Sequence, residues 1–365
     1  MRKFWLISLA LIIMAVLGTG TAVAQDNPAQ AAADWLIATH QNEDGGYASF
    51  SAGAGQAPSD VGGTLDALLA LAPAGVDVEP LLAYLKENGA ALAEYAAGGG
   101  SFAGKAALAL TAAGQNPRDF AGQDVVAILT GLVGEDGSIG TTTAFEQSFA
   151  IMGLALSGET VPETAVNWLA ALQATEGELA GSWDDGFGTA GNPDTTAMAV
   201  LALTMTNAQP EAAAAGTAFL LQTQLESGGW EYGPGFGENV NSTALAIQAL
   251  SLRGQDVSGA LAALLAWQSE SGAFQADFGS GPFDDFFSTV QAIPALAAAN
   301  RPVPVLLGPP EVAEPAATPE PEPTATSEPT AVPTEPPTEE PTELPPTATM
   351  APEPTSVPPT VVPAP

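Results

Sequence analysis

The sequence predicts an all-α domain made of six helix-pair repeats, and three observations support this prediction. A signature in which glycine stands two positions before an aromatic or apolar residue occurs six times, at intervals of 37 to 55 residues. Periods of this size are typical of arrays of paired helices. Each signature lies between two helix-like segments, and the second segment of each pair is apolar on nearly all sides. The signatures are Gly45–Tyr47, Gly100–Phe102, Gly137–Ile139, Gly181–Trp183, Gly228–Trp230 and Gly272–Phe274.

The two segments of each pair predict two layers of helices. In chain order, the segments before the signatures read ADWLIATHQ, LLAYLKENG, VVAILTGLVG, VNWLAALQ, TAFLLQTQ and LAALLAWQ. They mix apolar anchors with polar positions, as outer helices do. The segments after the signatures read TLDALLALAPAG, GKAALALTAAG, AFEQSFAIMGLALSG, TTAMAVLALT, STALAIQALSLRG and STVQAIPALAAA. These are rich in Ala and Leu on every side, so we expect them to form a buried inner layer.

Helix ends carry their own signals. Asn27 followed by Pro28 is the pattern of an N-cap with proline at the first helical position. Glycine after several inner segments predicts a left-handed C-cap, because glycine adopts that conformation without a steric penalty. These glycines are Gly75, Gly114, Gly158 and Gly254.

The fifth unit has the spacing Q-x-x-x-G-x-W, from Gln224 to Trp230, and QNEDGGY and QSESGAF keep its Gln and Gly positions. Glycine permits the positive φ needed to reverse the chain between helices. The glutamine amide can satisfy backbone groups left open at a helix end. The aromatic side chain can fold back into the helix layer. The motif therefore predicts a structural joint between the helices of a pair.

This spacing resembles the QW signature of the squalene-cyclase and prenyltransferase repeat family. The resemblance covers about residues 26–300 and is strongest at Gln224–Trp230, good in the first, fourth and sixth units, and weak in the second and third. It implies the fold of that family, an α/α toroid in which six outer helices surround six inner ones and a central cavity. Secreted cobalamin-carrier domains are similar in this architecture.

The two ends of the chain differ from the repeats. Residues 1–24 have a basic start, a short apolar run and an A-x-A sequence ending at Ala24, which predicts a cleaved signal peptide. Residues 309–365 are almost entirely Pro, Thr, Glu, Ala and Val, and this composition predicts a disordered, semi-rigid stalk. Residues 25–308 remain as the toroid domain, so we expect an exported protein that is secreted or held at the cell surface or cell wall.

Composition excludes several functions. The chain has 41 acidic and 7 basic residues and a formal net charge of −34, which disfavours nucleic acid as a partner. It has no cysteine, so it lacks thiolate metal ligands and cysteine nucleophiles. Zinc-dependent prenyl transfer and thioester chemistry, which related proteins perform, both need cysteine. The only histidine, His40, ends the first helix, and we interpret it as structural. We expect a monomer without a membrane span in the mature chain and without a cofactor.

Long loops follow the aromatic residue in four of the units and should gather on one rim of the toroid. Three of them, WDDGFGTAGNPD, WEYGPGFGENVN and FQADFGSGPFDD, concentrate aromatics, glycines and carboxylates. One interpretation is a ligand-binding rim, and the other is that the aromatics pack the loops while Asp and Gly form turns. The predicted ligand-binding residues are Trp183, Asp184, Asp185, Phe187, Trp230, Tyr232, Phe236, Asn239, Asn241, Phe283 and Phe286. Calcium at Asp184, Asp185 and Glu231 is a further alternative, as is cobalamin.

Candidate catalytic acids are Asp194, Asp284 and Asp285. The resemblance implies an Asp-x-Asp-Asp-Thr-Ala motif opening an inner helix; NPDTTA places Asp194 at its central acid, with Asn192 and Thr195 in place of the companion aspartates. Without those companions, we interpret Asp194 as the N-cap of a helix starting at Thr195. Asp284 and Asp285 precede the last inner helix, where capping is again the alternative to catalysis. Carboxylate-dependent glycan cleavage by Asp184, Asp194 or Asp285 also stays open.

Taken together, the sequence favours a surface-displayed binding module whose cavity takes a small apolar ligand or an extracellular protein. The alternative is an enzyme, either terpene cyclase-like or glycan-cleaving, that uses aspartate as a general acid. The incomplete acid motif favours binding over catalysis.

Overall fold

The computed structural model describes residues 27–49 and 52–299, so the predicted signal peptide and stalk lie outside the described residues. Within these ranges the chain forms thirteen helices and two short hairpins. The helices are α1 (Pro28–His40), α2 (Val61–Ala74), α3 (Glu79–Glu87), α4 (Gly89–Ala97), α5 (Gly100–Ala112), α6 (Val125–Gly131), α7 (Ala144–Leu156), α8 (Glu163–Ala171), α9 (Pro193–Met205), α10 (Pro210–Thr223), α11 (Val240–Leu252), α12 (Ser258–Leu265) and α13 (Phe286–Ala299). The antiparallel hairpins pair β1 (Trp230–Glu231) with β2 (Glu238–Asn239), and β3 (Gln275–Ala276) with β4 (Phe283–Asp284).

Six helices form a closed inner ring. Helices α2, α5, α7, α9, α11 and α13 each contact the next in this order, and α13 contacts α2. The remaining helices pack outside them: α1 between α13 and α2, α6 between α5 and α7, and α10 mainly against α9. The predicted all-α toroid is confirmed. None of the helices in the described ranges is long and apolar enough to cross a membrane.

The inner helices are buried because small residues let them approach closely. Ten of the thirteen residues of α9 are buried. Where α5 crosses α7, a Cβ atom placed on Gly153 would lie 2.7 Å from the Cα atom of Gly104. Any larger side chain at this crossing would push the two helices apart. The Ala-rich and Gly-rich composition of these segments is therefore what allows an inner layer of this tightness.

The joints between outer and inner helices share one hydrogen-bond pattern. In the fifth unit, the Gln224 side-chain amide donates to the carbonyl oxygen of Gly228 at 2.8 Å. The Trp230 backbone N–H donates to Thr243 Oγ1 at 3.0 Å, and its indole N–H donates to the carbonyl oxygen of Leu220 at 2.8 Å. These bonds anchor the turn to the helices on both sides, as predicted for a structural joint.

The same joint recurs in three other units. The backbone N–H of Tyr47, Trp183 and Phe274 donates to the hydroxyl of an inner-helix threonine at 2.9 to 3.1 Å. A glutamine amide donates to the glycine carbonyl at 2.9 to 3.1 Å in each of these units. In the third unit Gln147 Oε1 replaces the threonine hydroxyl and accepts from the Ile139 N–H at 2.9 Å.

The second unit differs from the prediction of six outer helices. Its outer segment is divided into α3 and α4 at Asn88, whose backbone and side-chain N–H groups both turn back toward the Tyr84 carbonyl oxygen. In addition, Gly100–Phe102 is not a joint but the first turn of α5. A Cβ atom on Gly100 would lie 1.7 Å from the Ile139 carbonyl oxygen, so glycine is needed here for close contact with the third unit.

Helix caps follow the sequence predictions in most places. The Asn27 side chain accepts from the Gln30 N–H and caps α1. The four predicted C-cap glycines all have φ between +69° and +78°. The exception concerns α9, which begins at Pro193 with Asn192 as its N-cap. The prediction that Asp194 caps a helix starting at Thr195 is wrong, because Asn192 Oδ1 already accepts the Thr195 N–H at 2.8 Å.

Candidate functional site

A pocket of about 400 Å³ lies at the end of the ring where inner helices α5, α7 and α9 begin. Their first turns supply part of its wall, and the loops that follow Trp183 and Trp230 supply the rest. Its aromatic lining consists of Phe102, Phe145, Phe149, Phe187 and Tyr232. Its charged lining consists of Lys105, Glu146, Asp185 and Asp194.

The aromatic wall comes from three directions. Phe145 and Phe149 are one helical turn apart on α7, and their rings pack edge to face with centroids 5.6 Å apart. Phe102 on α5 packs against Tyr95 of α4 at 5.0 Å. Phe187 is at the tip of the loop after Trp183 and is 88% exposed. Because these rings line one pocket, they offer apolar surface to a ligand.

Asp185 is the structural anchor of that loop. Its Oδ1 accepts backbone N–H groups of Phe187 at 2.7 Å and of Gly188 and Thr189 at 2.9 Å, and its Oδ2 accepts the Tyr232 hydroxyl at 2.5 Å. Burial alone would raise the pKa of Asp185, but these hydrogen bonds hold it well below its usual range. Burial and the Asp185 carboxylate raise the pKa of Tyr232 to about 12. Asp185 is therefore charged, and Tyr232 stays protonated.

Asp194 has the opposite environment. It is the second residue of α9, it lines the pocket, and its Oδ1 is buried without a hydrogen-bond partner among the described residues. Burial raises the pKa of Asp194 to about 6; the nearby Ser242 hydroxyl lowers it, and the charge of Asp185 raises it further. Asp194 thus changes charge near neutral pH while Asp185 does not.

The residues that replace the two companion acids do not support Asp194. Asn192 Oδ1 accepts both the backbone N–H and the hydroxyl of Thr195, at 2.8 and 2.9 Å. The Asn192 side-chain amide donates to the Tyr232 carbonyl oxygen at 2.9 Å. Asn192 and Thr195 therefore bond to each other and to a loop, and leave the Asp194 carboxyl free to accept.

Two polar groups of the neighbouring inner helix are also unpartnered. Asn241 Oδ1 and Ser242 Oγ, in the first turn of α11, are buried and have no partner with good hydrogen-bond geometry within the described ranges, and the Ser242 hydroxyl is close enough to the Asp194 carboxyl to lower its pKa. Asn241 occupies in NVNSTA the place that Asp194 occupies in NPDTTA. Buried polar atoms are normally paired, so these atoms carry an uncompensated desolvation cost, and neither Asn241 nor Ser242 lines the pocket.

The other two charges of the pocket are paired. Lys105 Nζ lies 2.6 Å from Asp66 Oδ1; burial lowers the pKa of Lys105, but Asp66 and Tyr95 raise it overall. Glu146 Oε2 accepts the hydroxyls of Thr141 at 2.6 Å and Thr143 at 3.0 Å. Among the carboxylates that line this pocket, Asp194 is the one with a buried oxygen that has no hydrogen-bond partner in the described part of the chain.

Several predicted rim residues lie in the core instead. Trp183, Trp230 and Phe286 are 0 to 1% exposed. Both indole N–H groups donate to carbonyl oxygens of outer helices, and Phe286 packs against His40 and Tyr47. The structure therefore reassigns these three aromatics from ligand contact to packing.

The remaining predicted residues are on the surface or at helix ends. Asp184 is exposed and accepts the Gly186 N–H at 2.9 Å, as in an Asp turn. Phe236 and Phe283 are 73% and 41% exposed, and neither lines the pocket. Asn239 caps α11 by accepting the Ser242 N–H at 2.9 Å.

The other two candidate acids also lie outside the pocket. Asp285 Oδ2 accepts the Ser288 N–H at 2.7 Å, which confirms the capping interpretation for α13. Asp284 is exposed and accepts the Ser271 hydroxyl at 2.7 Å. Of the three candidate catalytic acids, Asp194 is thus the one that lines the pocket.

No group of three or more His, Asp or Glu side chains in the described part of the chain is arranged to hold a metal ion. At the three residues considered for calcium, the carboxylates are engaged in loop turns. Glu231 Oε2 accepts the backbone N–H groups of Gly235 and Gly237 at 2.9 and 3.2 Å. The geometry of these side chains is that of turns that stabilise the rim loops.

Sequence reasoning missed Phe102, Lys105, Phe145, Glu146 and Phe149. They belong to the second and third units, where the repeat signature is weak and the links are short. A usable signal was present in AFEQSFAIM, where two phenylalanines stand four residues apart and therefore on one face of an inner helix.

Comparisons with known proteins agree on the fold. The sequence of this chain matches the family model of the prenyltransferase alpha-alpha toroid domain over residues 1–186 and 195–293. A type II terpene cyclase from Scytonema is similar in structure, with a TM-score of 0.58 and 17% identity over 74% of this chain and 96% of that one. A protein from Actinoplanes has a TM-score of 0.56 and 16% identity over 74% and 98%.

A third similar structure is haptocorrin in complex with Cbi, with a TM-score of 0.50 and 14% identity over 77% of this chain and 68% of that one. No curated protein matches this chain. At these identities the solved structures support the toroid fold alone.

Proposed function

Because this chain belongs to the prenyltransferase alpha-alpha toroid family, we propose that it is an exported, surface-displayed toroid whose pocket binds a small, largely apolar ligand. The observation that carries the proposal is the pocket of about 400 Å³ with five aromatic side chains in its wall. Ligand sites are commonly apolar clefts of about 300 to 1,000 Å³ with a few well-placed polar groups. Export rests on the predicted signal peptide and stalk.

The size and lining of the pocket favour a small ligand over the other candidates. A volume near the lower end of the usual range suits a compact molecule better than a macrocyclic cofactor such as cobalamin. Haptocorrin, part of which has a similar fold, was solved in complex with Cbi. An extracellular protein partner would instead use the exposed loop tips, where Phe187 and Phe236 are 88% and 73% exposed.

A neutral fluorescent probe, N-phenyl-1-naphthylamine, tests the proposal by titration with the purified protein. We expect binding with enhanced emission, and a loss of affinity of about tenfold or more for Phe145→Ser or Phe149→Ser, because each change removes apolar surface and wets the wall. Phe278→Ser is the matched control, since Phe278 is 81% exposed and does not line the pocket. Equal affinity in all three variants, or no binding by the wild type, would count against the pocket.

A second candidate function is acid catalysis by Asp194. It is favoured by the pKa of Asp194, which burial raises to about 6, within the range where a carboxyl can donate a proton at neutral pH. The unsupported Oδ1 counts against it, because a strong acid needs donors that stabilise its conjugate base, and Asn192 and Thr195 do not supply them.

Incubation with squalene and with geranylgeranyl dihydroxybenzoate, the substrate in the Scytonema cyclase structure, separates the two functions. Binding alone predicts unchanged substrate by mass spectrometry. Cyclised product that forms with the wild type and disappears with Asp194→Asn would establish the enzyme instead.

A further inference from the structure

The pocket contains one polar position that the protein itself leaves open. Asp194 lines the pocket, and its Oδ1 is buried and has no hydrogen-bond partner in the described ranges. Asn241 Oδ1, on the first turn of the adjacent inner helix, is buried and unpartnered as well, and the Ser242 hydroxyl of the same turn is close enough to the Asp194 carboxyl to lower its pKa. A carboxylate and an amide oxygen can only accept, so the missing partner is a donor.

The charge around this position is negative. Asp185 and Glu146 line the same pocket, and Lys105 is neutralised by Asp66 at 2.6 Å. Three inner helices begin here, and each N-terminus contributes roughly half a positive charge. That sum does not offset three carboxylates. An anionic guest would therefore be repelled, whereas a cationic guest would be attracted.

The walls suit the rest of such a guest. Phe102, Phe145 and Phe149 offer ring faces and edges to an apolar body. Aromatic rings also attract cations through their quadrupole. A protonated amine satisfies both requirements, because it carries positive charge and N–H donors on an apolar frame.

We propose that the ligand of this pocket is a protonated primary or secondary amine with an aromatic or aliphatic body, and that its ammonium group donates to the Asp194 carboxylate. This inference rests on the proposed binding function and names the ligand class. It places the apolar body against the phenylalanines of α5 and α7 and the ammonium at the first turn of α9.

The pH dependence of binding follows from the groups that face Asp194. Asp185 stays charged because its hydrogen bonds keep its pKa below the usual range, and Tyr232, with a pKa of about 12, stays neutral. Glu146 and Lys105 are each held by a partner. Asp194, whose pKa burial raises to about 6, is the group that gains a proton on mild acidification, so amine binding weakens below that pH.

Tryptamine and indole-3-ethanol form a matched pair of probes, since they share the indole body and differ in ammonium against hydroxyl. By isothermal titration with the full chain at pH 7.5, we expect tryptamine to bind about tenfold tighter or more. At pH 5.0 the ratio should fall to about threefold or less. Asp194→Asn should bring the ratio close to one.

The control is Asp119→Asn, which removes one exposed carboxylate outside the pocket and should keep the ratio of the wild type. Equal affinities for the two probes, or a preference for the amine that survives Asp194→Asn, would overturn the proposal. If the alcohol binds and the amine has no advantage, the ligand class is wrong but the pocket stands. If neither probe binds, both this inference and the proposed function fail.

Discussion

Asp185 and Asp194 show how one pocket can hold two carboxyl groups in different states. Asp185 receives four hydrogen bonds, and its pKa is held below the usual range. Asp194 is buried beside it with an unpartnered oxygen, and its pKa is raised to about 6. Environments that separate the pKa values of neighbouring groups are typical of functional sites. At neutral pH the charged form of Asp194 therefore lowers the stability of the folded protein.

The effect of the charged Asp194 on the free energy of unfolding can be measured. A pKa raised from 3.8 to about 6 means that the folded state binds the proton more tightly than the unfolded state. Its stabilising contribution is complete below pH 3.8 and is lost as the pH rises through about 6. We expect Asp194→Asn to leave the free energy of unfolding almost unchanged at pH 4 and to increase it by up to roughly 3 kcal/mol at pH 8. Urea denaturation at both pH values checks this.

Asp119→Asn again serves as the comparison, because an exposed carboxylate should change stability by less than about 0.5 kcal/mol at either pH. Destabilisation by Asp194→Asn at pH 8 would mean that groups of the protein already stabilise the charged form of Asp194. The proposal that a ligand amine binds to Asp194 would then be contradicted.

At the scale of the element, the joint between outer and inner helices requires glycine for two separate reasons, its backbone conformation and its lack of a side chain. Gly228 has φ of +99°, and a Cβ atom on it would lie 2.6 Å from the Gly259 carbonyl oxygen of the next outer helix. Gly181 and Gly272 meet the carbonyl oxygens of Ala215 and Ala31 in the same way, at 2.4 and 2.5 Å. The joint glycine therefore both reverses the chain and allows successive units to touch.

The two reasons can be separated by a pair of substitutions. Gly254 has φ of +69° with open space around it, so Gly254→Ala should cost about 1 kcal/mol from conformation alone. Gly228→Ala adds a clash with backbone that cannot move freely, and we expect a loss of roughly 3 kcal/mol. Chemical denaturation of both variants provides the measurement. Equal losses would show that the units do not pack as closely as the structure has them.

For the molecule as a whole, the essential contact is the one that closes the ring. The Gln268 side-chain amide donates to the Gly272 carbonyl oxygen at 2.9 Å and to the Pro28 carbonyl oxygen at 2.8 Å, joining the last unit to the first. Gln268 and Pro28 are 240 positions apart in the sequence. Gln41 holds the equivalent place in the first unit and donates to Gly45 of its own joint at 3.1 Å.

We expect Gln268→Leu to lower the free energy of unfolding by about 2 kcal/mol, because two acceptors lose their donor. Protection of α1 amides from hydrogen exchange should fall at the same time, since the first residue of α1 then loses its hydrogen bond to the last joint. Gln41→Leu, the matched variant, should cost about 1 kcal/mol and leave α1 protection nearer that of the wild type. If both variants lower the protection of α1 amides equally, the hydrogen bond from Gln268 to Pro28 does not contribute to closing the ring.

Much of the architecture could be read from local patterns. Buried inner segments, left-handed glycines such as Gly254 and the joint at Gln224–Trp230 are properties of a few consecutive residues. The division of the second outer segment at Asn88 was missed because both halves are helix-forming and only the path around the ring separates them. The role of Asn192 as the cap of α9 was missed because a neighbouring aspartate is an equally good cap by type.

The sequence by itself determined the six units, their inner and outer layers and the glycine joints, because these depend on spacing and side-chain size along the chain. The tertiary structure alone decided which side chains form a pocket and what state they are in. Phe149 and Asp194 line the same pocket only when three inner helices lie side by side. The pKa of Asp194 is raised by burial among groups such as Ser242 that lie far along the chain. Desolvation is a property of the surroundings in space, and no local pattern in the chain encodes it.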